Sequence, residues 1–222
     1  MYFVVSTWVP FGPTLLYPLT LFTTWVHEMG HGLSALLVGG QFLELVINAD
    51  AGGYARAGGG EGWPDAIVAA GGLLAPPLLG AIILATVHGP KRARLFLGAL
   101  SIGIVVSLVL YVRSTTGIVA MAGVAAALAF VTWGAFRNTP ERRVVIAQFL
   151  AVILAVDTLT RMVSYAFMGK LETGQTSDVG HIADNLGGHY KLWGLVITAL
   201  AIAMLVFGVW MALRRPRAKP ER

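Results

Sequence analysis

The chain lacks cysteine and is poor in charged residues, and both absences limit what it can be. With no cysteine among 222 residues, disulfide bonds and thiolate metal sites are excluded. Charged residues make up only 12% of the chain, whereas an ordinary soluble domain has roughly 25%. Hydrophobic residues make up 56%, and the mean hydropathy is +0.73. This composition predicts an integral membrane protein rather than one or two soluble domains.

The net charge of +5 does not indicate a nucleic-acid partner. The basic residues stand in short clusters beside apolar runs, which is typical of residues that determine membrane topology. The sequence contains no basic helix and no basic stripe interleaved with aromatic residues, as nucleic-acid binding would require. We therefore expect the lipid bilayer, and no nucleic acid, as a partner.

Six apolar runs are long enough to cross about 30 Å of hydrocarbon. They cover approximately residues 14–38, 66–87, 95–112, 116–136, 144–168 and 190–213. After the first run, QFLELVI is typical of a strand, and the glycines that follow predict a turn and a second short strand. The predicted fold is an all-α polytopic membrane protein of about six transmembrane helices, with a short β-hairpin-like loop after the first. We expect one transmembrane domain, 1–213, followed by a basic cytoplasmic tail, 214–222.

The distribution of positive charge predicts the orientation in the membrane. With six spans, the loops 88–94 and 137–143 and the tail 214–222 lie on one side, and they hold 11 of the 16 Lys and Arg residues. Loops rich in Lys and Arg stay on the cytoplasmic side. We therefore expect an integral protein of a bacterial plasma membrane with both termini in the cytoplasm.

The stretch His-Glu-Met-Gly-His, residues 27–31, places ionisable side chains inside the first apolar run. Each such group costs at least about 2.5–3.5 kcal/mol at membrane depth, so a function should offset the cost. Residues i and i+4 share one face of a helix, and His27 and His31 can therefore bind one metal ion. Zinc suits two neutral imidazoles and a carboxylate, with a fourth position for water. Glu28 is then the predicted base that takes the proton from this water.

Two aspartates are candidates for the third ligand. Asp157, in the fifth run, has Arg161 four residues later, and this spacing predicts an intrahelical ion pair. Asp178 has no such neighbour and stands at the predicted start of a short helix. We favour Asp178, with Asp157 as the alternative. A different ligand from the same short helix, His181 or Asp184, also remains open.

Three segments of the chain resemble a known family in content and order. They are HEMGHGLSALLVGG, AGGLLAPPLLGAIILA at 70–85 and SDVGHIADNLGGHYKLWGL at 177–195. The chain is similar over residues 22–200 to site-2-protease-like membrane zinc metallopeptidases, in the bacterial and fungal branch without a PDZ domain. The resemblance implies zinc on His27 and His31, Glu28 as base and an aspartate as third ligand. The N-x-x-P…D-G motif of the better-known members is absent, as is the asparagine of their Gly-Pro…Asn segment.

The predicted function is that of a zinc-dependent, membrane-embedded endopeptidase acting on membrane-associated proteins, with a single metallopeptidase domain. The substrate-binding residues are unknown from the sequence. One hypothesis is that residues 41–57 add a strand to an unfolded substrate segment. The alternative function is a non-proteolytic metal or proton transporter, or a regulatory scaffold with a zinc site. No internal repeat of the kind common in transporters is found in the sequence.

Overall fold

The computed structural model describes residues 12–136, 138–165, 168–170 and 174–214. These residues form, in chain order, α1 (Gly12–Leu37), β1 (Gln41–Ile47), β2 (Gly53–Gly58), α2 (Trp63–Thr86), α3 (Pro90–Leu110), α4 (Thr115–Ala129), α5 (Arg142–Tyr165), α6 (Asp178–Leu186) and α7 (Tyr190–Leu213). A turn of π-helix, Phe130–Gly134, continues α4. Residues 215–222 of the predicted basic tail lie outside the described residues.

Five of these helices are long and apolar enough to cross a membrane. They comprise Trp63–Thr86, Pro90–Leu110, Thr115–Gly134, Arg142–Arg161 and Tyr190–Leu213. The first helix, α1, has the necessary length, with 26 residues, but its histidines and Glu28 lower its hydropathy. The prediction of a helical membrane protein with a small hairpin after the first helix is confirmed, and the predicted count of six spans is approximate.

The central helix of the bundle is α2, which packs against α1, α5, α6 and α7. Its contact with α1 is close because glycines meet there: a Cβ atom on Gly30 would overlap the carbonyl oxygen of Gly71, and one on Gly71 would overlap the side chain of Ser34. Small residues let two helix backbones approach each other in this way. The approach brings the His-Glu-Met-Gly-His turn of α1 directly against α2.

The hairpin packs on α1 and is held by the rest of the bundle along one edge. Strands β1 and β2 pair in antiparallel fashion, from Gln41 opposite Gly58 to Ile47 opposite Gly53. The free side of β1 bonds to the connection between α3 and α4, where the Leu45 amide donates to the Tyr111 carbonyl at 2.8 Å. Apolar side chains of β1 are buried in the core. Strand β2 is consequently the outer strand, beside α1.

Candidate metal centre

The two histidines of α1 meet one helical turn apart. The His27 and His31 Nε2 atoms lie 3.2 Å from each other, and the rings are perpendicular, with centroids 4.8 Å apart. His27 is buried, with 7% of its surface exposed. Two imidazole nitrogens that converge inside the bundle form the beginning of a ligand set for a metal ion.

A main-chain carbonyl of α2 determines the orientation of one of these rings. The His31 Nδ1 atom donates to the carbonyl oxygen of Val68 at 2.8 Å. Because a carbonyl can only accept, the proton of the neutral ring stays on Nδ1, and Nε2 keeps a free lone pair. The other face of the ring lies against Gly72, where a Cβ atom would overlap the imidazole. His31 therefore presents Nε2 to His27 in a fixed tautomer.

Asp178 joins the two histidines from the short helix α6. Ser177 begins this helix: its Oγ accepts from the Gly180 amide at 3.1 Å and donates to the Met168 carbonyl. The Asp178 Oδ2 atom lies 3.3 Å from His27 Nε2, and Oδ1 lies 3.5 Å from His31 Nε2. Burial works to raise the pKa of Asp178, but positive charge on His31, when that ring is protonated, and a hydrogen bond from His27 lower it, and the net result is a pKa of about 2 instead of 3.8. The carboxylate is thus ionised and available as a ligand.

The three groups fit the requirements of a zinc site. Ligand atoms of His27, His31 and Asp178 all lie within 4.8 Å of one another. In a tetrahedral site with bonds of about 2.0–2.1 Å, neighbouring ligand atoms are about 3.3 Å apart, which is close to the 3.2, 3.3 and 3.5 Å observed. His27 Nδ1 is buried and has no hydrogen-bond partner among the described residues, so a protein hydrogen bond orients only His31.

Glu28 lies beside this centre on the side of the hairpin. Its side chain is buried, with 5% exposed, and it lies against β2, where a Cβ atom on Gly53 would be 3.3 Å from its Cγ. Among the described residues no ion pair involves Glu28. Glu28 lines the same cavity as the two histidines, and a base acting on a bound water would need to lie within reach of that water.

Asp157 is engaged elsewhere. Its Oδ2 atom forms an ion pair with Arg161 Nε at 2.8 Å, which confirms the pairing predicted from the spacing. Its Oδ1 atom accepts from Thr23 Oγ1 at 3.0 Å. Asp157 lines the cavity but is not one of the three residues that could hold a metal ion together. His181 also lines the cavity, and Asp184 is exposed; neither is in that group.

Sequence reasoning missed the residues that hold the ligands in place. Val68 acts through its main chain and gives no signal in the sequence. Gly72 lies in the stretch AGGLLAPP, where paired glycines could have indicated a close approach. Asn185 accepts from the Gly62 amide at 2.9 Å and donates to Asp65 Oδ2 at 3.1 Å, and so joins α6 to the start of α2. Asparagine in a short polar helix is too common to indicate this contact.

A cavity of about 1230 Å³ lies beside the ligand atoms. It is bordered by α1, β2, the beginning of α2, α5 and α6, with polar side chains from Thr24, Glu28, Tyr54, Asp157 and Asp178 on its wall. This volume exceeds that of a typical small-molecule pocket, which is about 300–1,000 Å³. An extended stretch of polypeptide therefore has room to reach the ligand atoms.

Fold and site together define an integral membrane protein with a candidate metal centre between its helices. Residues 1–208 match the family model described as Peptidase M50B-like. The chain belongs to this family, which is the site-2-protease family of membrane peptidases, as its sequence motifs predicted. No curated protein and no solved structure matches the chain.

Proposed function

We propose that the protein is a zinc-dependent endopeptidase that hydrolyses peptide bonds of membrane-associated proteins, within or beside the bilayer. The observation that carries this proposal is the convergence of His27, His31 and Asp178 within 4.8 Å, beside Glu28 and a large cavity. Membership of a membrane peptidase family supports the same reaction. The single metallopeptidase domain covers residues 1–213.

In this proposal each residue of the centre has a defined role. His27, His31 and Asp178 hold the ion, and the hydrogen bond to Val68 keeps His31 in the tautomer that can bind it. When bound, zinc lowers the pKa of a water molecule towards about 7 and polarises a carbonyl group. Glu28 accepts the proton of the attacking water and passes it to the amine that leaves.

Glu28→Gln is the substitution that tests this function. The purified protein is assayed in detergent micelles on two fluorescent probes, an unfolded casein and a synthetic leucine–alanine span interrupted by Gly-Gly. We expect cleavage to fall at least about 100-fold, since general-base catalysis typically contributes that much or more, while about one zinc per chain is retained. Glu141→Gln, in an exposed position before α5, is the matched control and should cleave normally.

The outcomes distinguish the proposed endopeptidase from the alternative, a transporter or scaffold with a zinc site. Full cleavage by Glu28→Gln would remove this residue from the mechanism. A wild-type protein that binds zinc but cleaves neither probe would favour the transporter or scaffold. His27→Ala should lose both zinc and cleavage, because it removes a ligand.

Strand addition at β2 is the proposed mode of substrate binding. The edge of β1 is occupied by the residues around Tyr111, whereas the outer edge of β2 has no backbone partner among the described residues and borders the cavity. A substrate segment that has left its helix can use this edge to satisfy its main-chain groups. The absence of cysteine allows a direct test. Ala57→Cys should form a disulfide with a cysteine placed near the scissile bond of the probe, and Leu43→Cys on β1 should not.

A further inference from the structure

A group of four polar side chains, which we call the α1–α5 bridge, joins two helices in the cavity wall. Thr23 donates to Asp157 at 3.0 Å, Asp157 pairs with Arg161 at 2.8 Å, and an Arg161 terminal nitrogen donates to Thr24 Oγ1 at 3.3 Å. All four residues line the cavity of the candidate metal centre. None of them has a role in the hydrolysis described above.

The α1–α5 bridge uses only some of the N–H donors of Arg161. A guanidinium has five N–H donors, and Arg161 directs its Nε to Asp157 and one terminal nitrogen to Thr24. The other terminal nitrogen has no partner among the described residues. About a quarter of the Arg161 side chain is exposed, on the wall of the cavity. Charged residues inside a membrane bundle are costly and usually serve a function. These remaining donors are free to bind a group that enters the cavity.

The bridge also fixes the position of the guanidinium relative to the centre and the hairpin. Thr24 and Glu28 are neighbours on one face of α1, and a Cβ atom on Gly53 would lie 2.9 Å from Thr24 Cγ2 and 3.3 Å from Glu28 Cγ. Thr24 also donates to the carbonyl of Ala51 at 2.8 Å, just before β2 begins. Arg161 is therefore bonded to a residue one helical turn from Glu28, at the start of the strand proposed to bind substrate.

We propose that Arg161 is a substrate-binding residue, which donates to a main-chain carbonyl oxygen of the substrate segment along β2. An extended segment paired with β2 directs alternate carbonyl groups away from that strand, into the cavity that Arg161 lines. The planar guanidinium, held by Asp157 and Thr24 as positioning residues, supplies charge-assisted hydrogen bonds to such an oxygen. This inference rests on the proposed function.

The test measures binding and cleavage of the leucine–alanine–Gly-Gly probe, which contains no acidic residue. Binding is measured in the Glu28→Gln background, and KM and kcat in the active protein. Arg161→Gln should weaken binding about tenfold or more, as expected for loss of a charge-assisted hydrogen bond, and raise KM, with zinc content unchanged. Arg161→Lys should recover part of the loss. The control is Arg94→Gln, at an exposed position of α3, which should bind and cleave normally.

A second variant separates substrate binding from a structural ion pair. Arg161→Gln leaves the Asp157 carboxylate unpaired, whereas the double variant Arg161→Gln, Asp157→Asn removes both charges. We expect the double variant to regain thermal stability but not probe binding. Recovery of binding in the double variant, or unchanged binding in Arg161→Gln, would overturn the inference. A defect confined to probes with acidic side chains would overturn it too. If the wild type binds the probe and zinc but never cleaves, the proposed function fails instead.

Discussion

Gly72 occupies a position where a side chain would take the place of the His31 ring. We expect Gly72→Ala to move that imidazole away from His27 and to weaken zinc binding about 10–100-fold, the range typical for loss of a group that orients a ligand. Zinc affinity is measured by competition with a chelator of known affinity. Gly103→Ala is the matched control, because a Cβ atom at Gly103 meets nothing within 4 Å. An unchanged affinity in Gly72→Ala would show that α2 can shift without disturbing the centre.

The choice between the two aspartates can be made by measuring zinc per chain. Asp178→Asn should lose most of its zinc, because the carboxylate that lies 3.3 Å from His27 and 3.5 Å from His31 becomes a neutral amide. Asp157→Asn should retain about one zinc per chain, since that residue pairs with Arg161. The opposite pattern would make Asp157 the third ligand and would require α5 to move towards α1.

At the scale of the element, α6 is a short helix whose position determines that of Asp178. Ser177 caps its beginning, and Asn185 ties its end to Gly62 and Asp65. We expect Asn185→Ala to weaken zinc binding about tenfold, because the helix loses its connection to α2 while every ligand remains. Asp184→Ala, at the exposed neighbouring position, should bind zinc normally. Equal zinc affinity in the two variants would mean that packing alone holds α6.

Individual elements were predictable where one local signal determined them. The apolar runs predicted the helices. They placed the start of α3 five residues too late, because Pro90 is favoured in the first turn and the basic residues after it are also helical. The period of QFLELVI predicted β1, and Ser177 indicated the start of α6. Contacts between distant parts of the chain, such as Val68 with His31, were not predictable because a main-chain oxygen is present at every position.

Finding the candidate site required both the spacing of residues in the sequence and the packing of helices in the structure. The spacing of His27 and His31 placed two ligands on one face without any knowledge of the fold. Asp178 lies about 150 positions further along the chain, and only the packing of α6 on α2 brings it to them. The sequence restricted the third ligand to a few acidic residues and one histidine, because few residues that can bind a metal occur in or near the apolar runs. It favoured Asp178, because the spacing predicted that Asp157 pairs with Arg161, but it left the other candidates open.

At the scale of the whole molecule, the face of the membrane to which the site opens depends on the orientation of the bundle. We propose that both termini are cytoplasmic, because the loops on that side hold most of the Lys and Arg residues. The connection before α6 then lies outside, with the hairpin and the cavity, while the connection between α4 and α5 lies inside. The substrates would in that case be reached from the outer half of the bilayer.

Single cysteines in this cysteine-free chain can test the orientation without any background. Gln175→Cys, before α6, should react with a membrane-impermeant maleimide in intact bacterial cells. Asn138→Cys, between α4 and α5, should react only after the membrane is permeabilised. Both positions are exposed, so a difference in labelling reports the side of the membrane rather than burial. The reverse pattern would place the site on the cytoplasmic side and show that the count of positive charges, which treats α1 as a full span, misleads for this bundle. The polar face of α1, which carries His27, Glu28 and His31, would then explain why this helix does not behave as a full span.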